Sequence, residues 1–139
     1  MFILAMSDIY YEIILDHYRY PRNKGHIEDA DIRVRDSNPL CGDEVEYTIK
    51  LDEKKEKILD IKFEGKGCAI SQASASILSE IVKGKSIEEI KEMTKEIILS
   101  ELGNPKLGPS RIKCALLPLK TLKLGIYSFI GKKFTADEL

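Results

Sequence analysis

The hydrophobic pattern of this chain changes period at Glu64-Gly65-Lys66-Gly67-Cys68, and that change restricts the folds open to it. Before it, apolar and polar residues alternate. Val45, Tyr47, Ile49 and Leu51 are separated by Glu46, Thr48 and Lys50; Ile32 and Val34 alternate with charges; Ile58, Ile61 and Phe63 follow a charged turn from Asp52 to Lys57. A period of two puts one set of side chains on one face, so two or three antiparallel strands with one buried face are expected. After it, Ile70, Ala73, Ile77, Leu78, Ile81 and Val82 recur at helical spacing and stop near Gly84. Strands followed by helices fit an α+β fold with the helices packed on one face of the sheet.

The remaining segments fill in around that frame. Ser7 can cap a first helix carrying Ile9, Tyr10, Ile13, Ile14 and Tyr18, which Pro21 ends. Ser86 and Glu89 have the spacing of a capping box, and Thr94 to Leu102 is a further helical piece broken by Gly103-Asn104-Pro105. Leu116, Leu119, Leu122, Leu124 and Ile126 mark a last helix with Pro118 within it. Proline has no N–H for the carbonyl four residues back, so the expectation is a helix that begins at about Cys114, where first-turn N–H groups have no intrahelical partner.

With 139 residues, 1–139 is expected to form one domain. The net charge is −1 with Lys and Arg spread along the chain, which argues against a nucleic-acid footprint and against an electrostatic membrane anchor. No apolar run approaches the roughly 18 residues that span a bilayer. Met1 to Ala5 is apolar but lacks a basic flank and the length of a signal peptide, and Met6 offers a second possible start. The expected compartment is the cytoplasm.

Three cysteines is an odd number, which fits ligands or a nucleophile in a reducing compartment better than a disulfide framework. Each has a telling context. Cys41 lies in Asn38-Pro39-Leu40-Cys41-Gly42-Asp43, a turn before a strand. Cys68 follows two glycines at the start of a helix, and Cys114 is expected at the start of another. A helix N-terminus carries about half a positive charge and stabilises a thiolate. Asp43 adds an oxygen donor, so three sulfurs and one oxygen can complete a tetrahedron for zinc or one edge of an iron–sulfur cluster. Against this, any one buried cysteine is often a small hydrophobe, and the 26 and 45 residues between the three form no compact motif. Asp is also common in turns. His17 reads as a surface or capping residue; His26 has no partner in sequence. Lys66, Arg111 and Lys113 flank cysteines and are either solvated or stabilise thiolates.

Four segments together resemble the NifU-like iron–sulfur cluster assembly scaffolds, the family that includes IscU and SufU. They are Asp16-His17-Tyr18 through Pro21-Arg22-Asn23-Lys24-Gly25, then Asn38 to Asp43, then Phe63 to Ser71 with Ala73 to Ser76, then Arg111-Ile112-Lys113-Cys114. The resemblance runs from about Ser7 to Gly125. It implies a three-stranded antiparallel sheet covered by helices. It also implies Cys41, Asp43, Cys68 and Cys114 as ligands, sulfur from a cysteine desulfurase, a transient [2Fe-2S] cluster, and apo-proteins as acceptors.

Two segments depart from the IscU branch. Lys113 stands where that branch has a histidine, and Leu107-Gly108-Pro109-Ser110-Arg111 stands where it has the stretch gripped by an Hsp70-type chaperone. This argues against chaperone-assisted transfer. Both departures look like SufU, whose members bind zinc and relay sulfur, while the short Lys85 to Ser110 stretch is IscU-like in length. The resemblance therefore implies a cluster scaffold first. A zinc-dependent sulfurtransferase comes second, with Cys41 and then Cys114 as candidate persulfide acceptors. A structural zinc domain comes third.

Overall fold

A computed structural model describes residues 12–39 and 42–131. The first helix, α1, is described over residues 12–19; its expected cap at Ser7 and the apolar Ile9 and Tyr10 lie outside the described residues. Then come β1 (Ile32–Asn38), β2 (Asp43–Leu51), β3 (Ile58–Lys66), α2 (Ala69–Val82), α3 (Ile87–Lys91), α4 (Lys95–Glu101) and α5 (Pro109–Phe129). The strands form one antiparallel sheet in the order β1-β2-β3. An α+β fold with a three-stranded antiparallel sheet and an N-terminal helix is what the sequence led us to expect.

Alternation decides which face is covered. Along β2, Val45, Tyr47, Ile49 and Leu51 are buried while Glu46 and Lys50 are only partly so. The buried set meets α2 and α5, and Tyr47 donates its hydroxyl to the Ala75 carbonyl of α2 at 2.9 Å, which satisfies a polar group taken wholly out of water. Burial also pushes the Tyr47 pKa well above its ordinary value, so it stays neutral. The outer edge of β3 is closed by residues 23–25: Phe63 N–H donates to the Asn23 carbonyl and Gly25 N–H to the Phe63 carbonyl, both at 2.9 Å. Those pairings occupy groups that an open edge would offer to another chain.

That N-terminal segment is tied to α2 by hydroxyls. Ser76 Oγ lies 2.8 Å from His17 Nδ1 and accepts the Arg22 N–H at 2.9 Å; Asn23 Nδ2 donates to Ser79 Oγ at 3.0 Å. α5 crosses β1 closely at Gly125, where a Cβ would stand 2.7 Å from Val34 Cγ1 and 3.1 Å from Ile32 Cγ2.

The start of α5 corrects the sequence expectation. The helix begins at Pro109 rather than at about Cys114, and Pro118 lies inside it. Gly108 is the N-cap and Pro109 occupies the first turn, where a missing N–H costs nothing. An interior proline costs about 3 kcal/mol. Leu119, Leu122 and Ile126 on the following turns are fully buried, and such side chains contribute about 1.5–3 kcal/mol each. Packing therefore outweighs the proline, and the helix runs through it.

Candidate metal centre

Three elements converge at one end of the sheet. Residues 39–42 connect β1 to β2, and Gly42 N–H closes the connection on the Asn38 carbonyl at 2.8 Å. Asp43, the first residue of β2, is 2% exposed although it is acidic. Cys68 is the N-cap of α2 and is exposed. Cys114 lies in the second turn of α5 and is 6% exposed. Cys41 lies outside the described residues.

The sulfurs of Cys68 and Cys114 and a carboxylate oxygen of Asp43 all lie within 4.8 Å of one another. Tetrahedral zinc with arms of about 2.0–2.3 Å spaces its ligand atoms about 3.3–3.8 Å apart. A small inward movement brings the three donors to that spacing, and two thiolates with one carboxylate suit zinc or iron. The donors present therefore fit such a group and leave a fourth position to be filled.

The carboxylate is already oriented. Its Oδ1 accepts the Cys68 backbone N–H at 3.0 Å, and its Oδ2 accepts from the Cys68 thiol at 3.5 Å. Ser71 Oγ donates to the Cys68 carbonyl at 3.1 Å. The N-terminal end of α2 thus supplies both an N–H donor and its partial positive charge at the point where negative ligands meet. Cys68 stands at a helix start as expected. Cys114 does not start its own helix, because α5 begins at Pro109.

The other flagged residues sit elsewhere. His17 is half-buried against Ser76, and its pKa is lowered by desolvation and by the neighbouring Arg22, with Glu80 and Asp16 acting in the opposite sense. His26 lies 3.6 Å from Glu46 and 3.1 Å from the Arg33 guanidinium on the side of the sheet away from the helices. Lys66 lies 4.0 Å from Glu44. Lys113 is exposed and borders a groove of about 390 Å³ with Pro39, Leu116 and Lys120. Among the described residues, no helix is long and apolar enough to cross a membrane.

Comparisons with known proteins agree with the fold. Residues 9–136 match the family model described as the NifU-like N terminal domain. The chain is 41% identical to the zinc-dependent sulfurtransferase SufU of Bacillus subtilis, over 87% of this chain and 91% of that protein. It is 39% identical to the iron–sulfur cluster assembly scaffold protein IscU of Aquifex aeolicus, over 96% of this chain and 83% of that one. A crystal structure from Fervidobacterium islandicum, described as a proposed iron–sulfur cluster assembly scaffold for the SUF system, superposes with a TM-score of 0.73. That chain is 35% identical, and the match covers 83% of this chain and 94% of it. The fold is a small α+β domain in which Asp43, Cys68 and Cys114 form a candidate metal site. The chain belongs to the NifU-like N-terminal domain family, and its relatives include both IscU and SufU proteins.

Proposed function

We propose that this protein is a scaffold for iron–sulfur cluster assembly, whose cluster is cargo rather than a resident cofactor. The observation that carries the reading is the meeting of Asp43, Cys68 and Cys114 from three separate elements within 4.8 Å, two buried and one exposed. A site open on one side can be loaded and emptied, unlike a closed structural centre. Cys41 is the proposed fourth ligand, two residues before Asp43 in sequence. Its thiolate would also attack the outer sulfur of a persulfide on a cysteine desulfurase. A new S–S bond then forms as the old one breaks, and the desulfurase cysteine leaves as thiolate. Cys114 is the second candidate acceptor, and its burial requires the centre to open first. A two-electron reductant such as a small thiol would release the persulfide's outer sulfur as sulfide and regenerate the cysteine thiolate, and two such sulfides with two irons would form a [2Fe-2S] unit held by thiolates. The proposed partners are a cysteine desulfurase and apo iron–sulfur proteins in the cytoplasm, with no nucleic acid and no membrane. Leu107 to Arg111 leads into the first turn of α5 and departs from the chaperone-gripped sequence, so no dedicated Hsp70-type chaperone is included.

A second reading is favoured by the 41% identity to a zinc-dependent sulfurtransferase and by Lys113 beside Cys114. In it, zinc occupies the same four residues and keeps the thiolates deprotonated, and sulfur leaves as persulfide rather than as cluster. Anaerobic incubation with iron, cysteine and a cysteine desulfurase separates the two. A [2Fe-2S] absorption spectrum supports the scaffold. Retained zinc with faster desulfurase turnover and no cluster supports the relay.

A further inference from the structure

Gly67 stands across from Asp43, one step beyond the register pair Glu44–Lys66 that ends the β2–β3 ladder. An ordinary cross-strand pair keeps its Cβ atoms about 4.5–5.5 Å apart. Here the Asp43 side chain leans over its neighbour to reach the N–H of the next residue, Cys68, at 3.0 Å. It fills the space where a side chain at position 67 would begin. A Cβ on Gly67 would overlap Asp43 Oδ1 and stand 2.6 Å from its Cγ and 2.9 Å from its Cβ, whereas non-bonded carbons pack at about 3.5–4.0 Å. Asp43 is 2% exposed, so it has no open space to retreat into without giving up the Cys68 N–H.

We infer that Gly67 is a positioning residue of the metal centre. Lacking a side chain, it admits the Asp43 carboxylate. The Cys68 N–H then holds Oδ1, with Oδ2 3.5 Å from the Cys68 thiol. A carboxylate held by one oxygen in this way would offer a metal its other oxygen as a single donor. Partners of this kind, which orient a ligand without touching the metal, typically set affinity by about 10–100-fold. The inference rests on the proposed reading that Asp43 is a ligand.

The test uses the full chain, with cobalt(II) as a spectroscopic probe and zinc for affinity. Gly67→Ala is expected to weaken zinc binding about 10–100-fold. It should also give the cobalt ligand-field spectrum of Asp43→Ala, with thiolate-to-cobalt charge transfer retained in both. Adding Gly67→Ala to Asp43→Gly should change neither quantity from that of Asp43→Gly alone, since both the carboxylate and the Cβ that the new methyl would meet are gone. A Gly67→Ala spectrum identical to wild type, while Asp43→Ala differs, overturns the inference. An Asp43→Ala spectrum identical to wild type instead removes the reading beneath it.

Gly67 has φ +150, a conformation that L side chains rarely adopt, so the single variant risks misfolding for a second reason. If it loses its cooperative melt, the double variant decides. Recovery of the melt in Asp43→Gly/Gly67→Ala shows that the conflict is with the Asp43 side chain; a double variant that melts no better than the single one shows that the backbone alone demands glycine and overturns the inference.

Discussion

Asp43 shows most clearly what single residues contribute. A buried carboxylate is costly unless it is hydrogen-bonded, and Asp43 is both 2% exposed and bound to the Cys68 N–H. An oxygen donor among thiolates should also hold a cluster less firmly than a fourth thiolate would, which suits a protein that gives its cluster away. Asp43→Cys, which offers that fourth thiolate, is therefore expected to lengthen the life of a bound cluster, read as slower decay of its visible absorption with a chelator present; faster decay would refute this. Cys41→Ser is expected to accept no sulfur from the desulfurase, checked by labelled sulfur on the protein after a single turnover, and full labelling would move that role elsewhere. Both ligand candidacies could be read from sequence, because Asp43 and the cysteines lie in short, distinctive segments. The Gly67–Asp43 contact could not, since it joins residues 24 positions apart through the lean of one side chain.

Between elements, small residues and hydroxyls decide how the helices dock. α5 lies on β1 through Gly125, so Gly125→Ala forces a methyl against Val34 and Ile32. Overpacking of this kind costs about 1–3 kcal/mol, and a lowered melting temperature in the metal-free protein checks it. The N-terminal segment docks on α2 through Ser76 and Ser79, and its titratable group is His17, flanked by Arg22, Asp16 and Glu80. Burial and Arg22 hold the folded pKa of His17 below the ordinary value of about 6.5. Unfolding then takes up a proton between those two values. The contribution to stability is complete above about pH 6.5 and is lost as pH falls through the folded pKa. Thermal melts with chelator present should fall more steeply between pH 7 and 5.5 in wild type than in His17→Gln; equal slopes would contradict this. Alternation made the strands legible in sequence, and the capping box of Ser86 and Glu89 forms both of its hydrogen bonds. The start of α5 was misjudged because a local rule about Pro118 was weighed without the burial of Leu119, Leu122 and Ile126. Pro109, at a position where proline is favoured, held the better signal. The buried serines of α2 could not be read as such, because serine is usually a surface residue and their partners are remote in sequence.

In the whole molecule, the candidate centre joins the start of β2, the start of α2 and the second turn of α5. On the proposed reading, a metal would bind only when those three parts are assembled, which would couple metal binding to folding. Removal of metal by a chelator should lower the melting temperature, and an unchanged value after confirmed metal loss would oppose the account. The central claim is that the cluster is cargo. The most direct test is to assemble it anaerobically on this protein, remove free iron and sulfide, add an apo-ferredoxin, and follow both proteins by visible absorption and circular dichroism. The account predicts that the scaffold signal decays at the rate at which the ferredoxin signal grows, with one cluster gained for each cluster lost. A cluster that stays on this protein, or decays while the ferredoxin gains none, would contradict it.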